Sequence, residues 1–234
     1  MKTVSIGDVH GRLVLPTVQE ISGKYDKIIF IGDYVDSFTE ADLSISVNLF
    51  DIIEFKKANP DKVVLLLGNH DLQYMFGYDR HGCSGYRPQM KETLYSIFKD
   101  NKDLFQMSYQ IEDTIWTHAG VHEGWYKQRF IKFVKDYPDL TLSQQLNLAF
   151  SKFNYESLFD VGHSRGGWYN VGGPFWCDAN ELKSSPIRRY NQIVGHTHMK
   201  YIQRMNIHNK EIAFIDVLED SDFIKEDLFY YKEF

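Results

Sequence analysis

The feature that most constrains this chain is a local pattern that recurs along it. A short apolar run is followed by glycine or a small polar residue, and then by aspartate, asparagine or histidine. The apolar runs are residues 4–6, 28–31, 63–67, 115–116 and 193–194. They are rich in valine and isoleucine, and short continuous runs of this kind are typical of strands buried on both faces.

Helical segments are predicted between these strands. Residues 13–21 have apolar positions at helical spacing, and residues 42–58 form a longer segment that ends shortly before Pro60. In the longer segment the apolar residues recurring near helical spacing are Leu43, Val47, Phe50 and Phe55. A rhythm of strand, helix and strand predicts crossover connections and a largely parallel sheet.

The remaining segments extend this plan. Residues 72–110 are predicted to be a mostly helical insertion, and residues 125–160 are predicted to be helical again. Residues 201–205 and 211–217 are predicted to form an antiparallel hairpin around a turn at 206–210, and residues 229–234 a closing strand. No repeat or linker divides the sequence, so a single domain over residues 1–234 is expected.

Composition narrows the class of protein. The hydrophobic fraction of 43% and the charged fraction of 25% are those of a globular protein. A net charge of −6 argues against a nucleic-acid partner, although bound cations could still attract an anionic substrate. Cys83 and Cys177 match no metal-binding spacing and suit a reducing compartment. The N-terminal residues lack an apolar stretch of signal-peptide length, and no run of about 18 apolar residues predicts a membrane span. A cytoplasmic location without membrane association is therefore expected.

The residues that follow the strands predict a metal site. In an open parallel sheet, residues just past the carboxyl ends of the strands face one edge, so they are expected to converge. The candidate ligands are Asp8, His10, Asp33, Asn69, His118, His196 and His198. Carboxylate, amide and imidazole groups together suit divalent or trivalent ions such as Mn, Fe, Zn or Ni, and the absence of cysteine excludes thiolate sites.

Two neighbouring ions are a recurring device for phosphoryl chemistry, because they bind phosphate oxygens and lower the pKa of a bridging water. A hydroxide formed in this way can attack phosphorus directly. His70 is placed to assist the leaving group, and Asp36 to hold the His70 imidazole. The predicted activity is hydrolysis of phosphate esters.

The ordered motifs resemble those of the calcineurin-like metallophosphoesterase superfamily over nearly the whole chain. These motifs are GDVHG at 7–11, GDYVD at 32–36, GNHD at 68–71, THAG at 117–120 and GHTH at 195–198. The resemblance implies an α/β sandwich of two mixed β-sheets flanked by helices. It also implies two ligand sets. One ion would take Asp8, His10, Asp33 and His198. The other would take Asp33, Asn69, His118 and His196, with Asp33 bridging the two.

The second motif is closest in style to the serine/threonine protein phosphatase branch, but one residue differs. That branch has an arginine that holds substrate phosphate where this chain has Ser37. Arg165, in the glycine-rich stretch 162–173, is the candidate replacement, because a guanidinium grips phosphate in bidentate fashion. Arg12 and Arg80 are weaker candidates, and Asn69 and His70 complete the predicted substrate-binding set. Aromatic residues that could line a pocket or simply pack are Tyr74, Tyr78, Tyr86, Trp168 and Tyr169.

Three functions remain open from the sequence. The first is a phosphatase that hydrolyses phosphate monoesters of a phosphoprotein or of a small phosphorylated molecule. The second is a dinucleoside polyphosphate hydrolase, and the third is a catalytically inactive binding module that retains the fold. The excess of acidic over basic residues disfavours a nuclease, because nucleic-acid binding usually requires a basic surface. The sequence leaves the physiological substrate, the native metals, the phosphate-binding arginine, the oligomeric state and the role of residues 72–110 undetermined.

Overall fold

A computed structural model of the protein describes residues 1–152, 155–221 and 223–234, and the side chain of Arg80 lies outside this description. The described chain forms two compact units. The first unit comprises Met1–Gln106, Lys200–Ile202 and Ile215–Phe234, and the second comprises Met107–Met199 and Gln203–Phe214. The single domain predicted for residues 1–234 stays a prediction.

The elements follow one another in mixed α/β order. The strands are β1 Lys2–Ile6, β2 Lys27–Phe30, β3 Val63–Leu66, β4 Phe105–Gln106, β5 Ser108–Ile111, β6 Thr114–Thr117, β7 Asn191–Val194, β8 Gln203–Ile207, β9 Lys210–Phe214 and β10 Tyr230–Glu233. The α-helices are α1 Leu15–Ile21, α2 Asp42–Ala58, α3 Asn69–Phe76, α4 Tyr78–His81, α5 Lys91–Asp100, α6 Glu123–Trp125, α7 Ile131–Asp136, α8 Leu142–Ser151 and α9 Ala179–Ser184. A π-helical segment, Tyr126–Phe130, joins α6 to α7. Short 3-10 segments are Ser22–Lys24, Pro88–Met90, Lys102–Leu104, Glu156–Phe159, His163–Arg165 and Glu226–Leu228.

The sheet of the first unit has the strand order β10-β1-β2-β3-β4. Strands β1 to β4 run parallel, and β10 pairs antiparallel with β1, as predicted for the closing strand. Every residue of β3 is buried, and this explains why the sequence of the strand is a continuous apolar run. Helices α1 and α2 connect the first three strands, so the predicted strand–helix–strand rhythm is confirmed.

Helix α2 has the predicted bounds but buries a different face. Its buried residues are Ile45, Asn48, Leu49, Ile52 and Ile53. The predicted apolar series is largely exposed: Leu43 is 73% exposed, Val47 48% and Phe50 49%. Two apolar series with helical spacing occur in this helix, and the periodicity alone could not choose between them. The buried series contacts β3, and Asn48 Nδ2 on that face donates to Arg12 O at 2.7 Å.

The predicted insertion at 72–110 is helical only in its first part. Helices α3, α4 and α5 lie there, but residues 105–111 form β4 and β5 apart from Met107. The prediction was wrong for this end. Strand β4 is only two residues long, so its sequence shows no periodic pattern of apolar residues. It is stabilised by pairing with β3, which lies far from it in sequence.

The sheet of the second unit has the strand order β5-β6-β7-β9-β8. Strands β6, β7 and β9 run parallel, whereas β5 and β8 are antiparallel to their neighbours. The predicted hairpin is confirmed as β8 and β9, although the turn is shorter than residues 206–210. His208 and Asn209 form it, with φ angles of 54° and 60°, the conformation that matches the twist of a tight hairpin.

Helices α6, α7 and α8, together with the π-helical segment Tyr126–Phe130 and the 3-10 segment Glu156–Phe159, occupy most of the described part of residues 125–160. The helical stretch predicted there is therefore confirmed. Within the described residues, no helix is long and apolar enough to cross a membrane. Cys83 and Cys177 are both buried free thiols. The fold class is therefore confirmed as α/β, with two mixed sheets flanked by helices.

Adjacent residues of α2 provide a test of its buried face. Leu49→Ala should lower the free energy of unfolding by about 2–5 kcal/mol, because it empties a fully buried site. Phe50→Ala should change it by roughly 0.5 kcal/mol or less, because that ring is half exposed. Urea denaturation followed by circular dichroism measures both, and a reversed order would contradict the assignment of the face.

Candidate metal centre

Several candidate site residues have left-handed backbone conformations. The φ angles are 45° at His10, 51° at Asp33, 59° at Asp36 and 66° at His196. This region costs a residue with a Cβ atom about 1–2 kcal/mol. Its repeated occurrence in the segments that follow the strands indicates that the surrounding structure stabilises an unfavourable backbone conformation at these residues.

In the first unit, Asp8, His10 and Asp33 form a cluster. One donor atom from each lies within 4.8 Å of the other two. His10 Nδ1 lies 3.0 Å from Val35 O and 2.7 Å from Asp36 O. Because carbonyl oxygens only accept, Nδ1 is the nitrogen that donates to them, and Nε2 is the nitrogen that faces the carboxylates of the cluster. His10 Nε2 lies 3.8 Å from Asp33 Oδ2, so the cluster offers the carboxylate and imidazole donors that a metal ion requires.

Asn69 is the first residue of α3 and is almost fully buried. Its Nδ2 donates to Cys83 Sγ at 3.3 Å. Since the amide nitrogen is engaged there, the amide oxygen is the candidate atom for binding a cation. Burial raises the pKa of Cys83, so its side chain is a neutral thiol.

His70 and Asp36 form the predicted pair, with His70 Nδ1 at 2.9 Å from Asp36 Oδ2. The pair lies beside Asp33, because the backbone N–H of His70 donates to Asp33 Oδ1 at 2.9 Å. Burial lowers the pKa of the His70 imidazole, but the Asp33 and Asp36 carboxylates outweigh burial and raise that pKa to about 9.

Two neighbours that the sequence did not connect with Asp36 hold its carboxylate. Tyr74 OH donates to Asp36 Oδ1 at 2.5 Å, and Gln73 Nε2 donates to Asp36 Oδ2. Both residues lie on α3, so one helix supplies His70 and the two donors that fix its partner. Tyr74 is therefore a buried support residue, and it stacks on Tyr86. Trp168, another predicted pocket residue, is 93% exposed.

Asp71 is the main residue that the sequence reasoning missed. It is fully buried and accepts backbone hydrogen bonds from Asp33 N at 2.9 Å, Tyr34 N at 2.9 Å and Gly68 N at 2.8 Å. Burial and the neighbouring Asp33 carboxylate raise the pKa of Asp71, against the opposing effect of these amides. The available signal was an aspartate at the third position of a helix, where a side chain can bond back to the N-cap amide.

Gly68 allows β2 and β3 to bring their ends together. A Cβ atom at this position would lie 2.1 Å from Asp33 Oδ1 and 2.5 Å from Asp33 N. The φ angle of Gly68 is −106°, so close approach rather than an unusual backbone conformation requires glycine here.

The second unit brings together the remaining histidines. His118 is fully buried just after β6, and its carbonyl accepts from Gly195 N at 2.8 Å. The rings of His118 and His196 lie with centroids 5.0 Å apart. His198, in the same turn as His196, is exposed. The Trp176 ring contacts His196 edge-on, at 5.7 Å between centroids.

Arg165 lies against the turn that carries His196 and His198. Its Nη2 donates to Thr197 Oγ1 at 2.7 Å, and its Nε pairs with Asp178 Oδ2 at 2.9 Å. About a quarter of the side chain, 28%, is exposed.

The other arginine candidates differ from Arg165. Arg12 is buried and donates to the carbonyl of Glu219 at 3.3 Å, and the Arg80 side chain lies outside the described residues. At the position of the missing arginine, the Ser37 hydroxyl accepts from Glu40 N at 3.0 Å and stabilises a turn.

The profile of the calcineurin-like phosphoesterase family matches residues 1–200, and the chain belongs to this family. The family uses a dinuclear metal centre, and this chain has the candidate ligands for one.

Two curated relatives share moderate identity with the chain. A symmetrical bis(5′-nucleosyl)-tetraphosphatase from Marinomonas sp. (strain MWYL1) is 26% identical over 163 residues, which is 64% of this chain and 56% of that protein. A Schizosaccharomyces pombe protein named as a serine/threonine-protein phosphatase is 28% identical over 123 residues, which is 50% of this chain and 38% of that protein. The match therefore spans about half or less of each relative's length.

The fold is similar to a solved structure. The crystal structure of a cold-active protein-tyrosine phosphatase from a psychrophilic Shewanella species has a TM-score of 0.58 at 18% identity. The match covers 92% of this chain and 71% of that chain, and at this identity it shows the shared fold.

Asp71→Asn should lower both stability and metal affinity. Asparagine has one acceptor oxygen, so at least one of the buried amides that Asp71 serves would lose its partner, at a cost of about 1–3 kcal/mol. Thermal unfolding and Mn²⁺ titration of the variant measure the two effects.

The control is Asp160→Asn, which alters another buried aspartate, paired with Arg129 at 2.9 Å. It should reduce stability without weakening Mn²⁺ binding. Equal Mn²⁺ affinity in wild type and Asp71→Asn would show that Asp71 does not organise the metal ligands.

Proposed function

We propose that the protein hydrolyses phosphate monoesters, carried by a phosphoprotein or by a small phosphorylated molecule. The observation that carries this proposal is the His70–Asp36 pair, held at 2.9 Å beside the Asp33 carboxylate. An imidazole with one nitrogen fixed by a carboxylate can deliver a proton to the oxygen that leaves phosphorus. The intact pair and the family assignment favour an enzyme over an inactive binding module.

The proposed metal ligands are the motif residues Asp8, His10, Asp33, Asn69, His118, His196 and His198. Their donors fit the family's dinuclear centre, because carboxylate, amide and imidazole groups suit Mn, Fe, Zn or Ni. When bound, two such ions withdraw charge from phosphate oxygens and lower the pKa of a water molecule. His10 Nδ1 donates to backbone carbonyls, which aims its Nε2 toward the ion. Asp33 is proposed as the bridging ligand.

His70 is proposed to act through Nε2. Its Nδ1 is occupied by Asp36, so Nε2 is the nitrogen that faces substrate and protonates the leaving oxygen. Asp36 favours the charged imidazole and holds its orientation, while Gln73 and Tyr74 keep Asp36 in place. The amide of Asn69 and the imidazole of His70 are also proposed to contact the phosphate.

Arg165 is proposed to bind the phosphate, because it lies next to Thr197 in the turn that carries two candidate ligands. Asp178 fixes the guanidinium through Nε, and the partial exposure of the side chain leaves access for an anion. A contact between Nε and a carboxylate orients the guanidinium group without engaging all of its N–H donors.

A dinucleoside polyphosphate hydrolase is the second candidate. The similarity to a symmetrical bis(5′-nucleosyl)-tetraphosphatase favours it. A cytoplasmic location, and no nucleic-acid or membrane partner, complete the proposal.

Asp33→Asn tests the catalytic proposal. With p-nitrophenyl phosphate and Mn²⁺, wild type should turn over and the variant should lose more than about 100-fold in kcat, because the metals contribute several kcal/mol to the transition state. Chelation by EDTA should abolish wild-type activity, and Mn²⁺ should restore it. Equal turnover by wild type and variant, or none by wild type with any of the four metals, would refute the proposal.

The substrate class is tested by comparing a phosphopeptide, a dinucleoside tetraphosphate and a phosphate bis-ester with the folded wild-type protein. The proposal predicts the highest kcat/KM for a monoester. A higher kcat/KM for the dinucleoside tetraphosphate would replace it with the second candidate.

Arg165→Ala should lower kcat/KM by about 10–100-fold, since a hydrogen bond to a charged group contributes about 1.5–3 kcal/mol. The matched control is Arg188→Ala, which removes an exposed arginine elsewhere in the second unit. Steady-state kinetics with p-nitrophenyl phosphate compare the two variants. Unchanged kinetics in Arg165→Ala would show that this residue has only a structural role in its loop.

A further inference from the structure

The segment of residues 83–87, here called the 83–87 segment, touches the candidate site at several points. It lies between α4 and the 3-10 segment Pro88–Met90. Its first residue contacts Asn69 and Gln73, and its last residue contacts Tyr74. These contacts reach both the proposed metal ligand and the support of Asp36.

The Cys83 side chain contacts Asn69 in two ways. Its Sγ accepts from Asn69 Nδ2 at 3.3 Å and donates toward Asn69 O at 3.3 Å, or toward His81 O at the same distance. A thiol has one proton to donate and lone pairs to accept, so it can satisfy the amide and a carbonyl together. Rotation of the Asn69 amide by half a turn would direct its oxygen at the sulfur and lose the N–H···S bond, and the single thiol proton could reach that oxygen only by giving up the backbone carbonyl that it now contacts. The thiol therefore selects the orientation in which the oxygen is available to a metal.

Backbone amides of the same segment support Asp36. Cys83 N donates to Gln73 Oε1 at 2.9 Å, and the Gln73 amide then directs its Nε2 to Asp36. Arg87 N donates to Tyr74 OH at 2.9 Å, and that hydroxyl donates to Asp36 Oδ1. Backbone N–H groups of the 83–87 segment donate to the oxygen atoms of the Gln73 and Tyr74 side chains. The donor group of each of these two side chains is therefore directed at Asp36.

The segment is itself anchored to the loop that follows β2. The Arg87 guanidinium donates to Ser37 O and to Glu40 O, and pairs with Asp42. Gly85 has a φ of 79°, and a Cβ atom there would lie 3.5 Å from the Cβ of Asp36. The segment therefore passes directly against the residue that it supports.

We propose that the 83–87 segment is a positioning element, in which the Cys83 thiol orients Asn69 as a metal ligand and backbone amides fix the donors that hold Asp36. The inference rests on the proposed function, because it takes Asn69 as a ligand. It assigns a role to the part of the helical insertion that lies outside the helices. Cys83 acts through Asn69 and is a positioning residue.

The test compares Cys83→Ala and Cys83→Ser with wild type by calorimetric titration of the metal-free proteins with Mn²⁺. Cys83→Ala should bind one of two Mn²⁺ equivalents about 10–100-fold more weakly, the usual effect of losing a group that orients a ligand. Cys83→Ser keeps a donor and an acceptor, so its Mn²⁺ affinity should lie closer to wild type. The matched control is Cys177→Ala, which removes the other buried thiol and should bind both equivalents as wild type does.

Two further measurements separate the possible failures. Thermal unfolding of each metal-free variant shows whether weakened binding follows from global destabilisation, which should be similar in Cys83→Ala and Cys177→Ala. Asn69→Ala should lose one Mn²⁺ equivalent. Retention of both equivalents with wild-type turnover in Asn69→Ala would refute the ligand assignment in the proposed function.

If Asn69→Ala loses one equivalent while Cys83→Ala binds both as wild type does, only the positioning inference is overturned. It is also overturned if Cys83→Ser binds as weakly as Cys83→Ala. Should Cys83→Ala fail to fold, Cys83→Ser decides: two Mn²⁺ equivalents at near wild-type affinity support the inference, and loss of one in the folded variant overturns it.

Discussion

The buried carboxylate of Asp71 is the interaction on which the first part of the site depends. It binds backbone amides at the ends of two parallel strands, on Asp33, Tyr34 and Gly68. Parallel strands bring their carboxyl ends to one edge but leave the amides beyond the ladder without strand partners. Asp71 satisfies three of them and thereby holds Asp33 in its left-handed conformation. The costly backbone conformation of a candidate ligand is thus stabilised by a buried neighbouring residue.

The same principle extends through the hydrogen bonds around the proposed acid. Helix α3 supplies His70, Gln73 and Tyr74, so one helix carries both the imidazole and the donors that fix its partner Asp36. Each group proposed to contact phosphate lies beside a buried side chain that orients it. Such a network suits a hydrolase, because donors fixed in advance need little reorganisation when charge develops on the leaving oxygen.

Much of this arrangement was predictable from the chain. Valine- and isoleucine-rich runs marked the parallel strands, and the residues that followed them gave the candidate ligands in order. The pairing of His70 with Asp36 also followed from their motifs. Helix α2 shows the limit of periodicity, because Leu43 and Leu49 belong to two series with helical spacing, and only the contacts of α2 with β3, α1 and α5 decide which series is buried. Strand β4 was not predicted, because a strand of two residues is too short to show a periodic pattern of apolar residues.

The sequence by itself determined the family, the mixed α/β class and the types of donor at each strand end, because these depend on local patterns and their order. The tertiary structure alone decided which residues support those donors. Asp71, Gln73 and Tyr74 act through contacts with segments that are distant in sequence, such as the 2.9 Å bond between Asp33 N and Asp71 Oδ2, and Cys83 acts through its contact with Asn69. Hydrogen bonds of this kind form only between groups that the fold brings close together. That proximity cannot be inferred from residue type or from spacing along the chain.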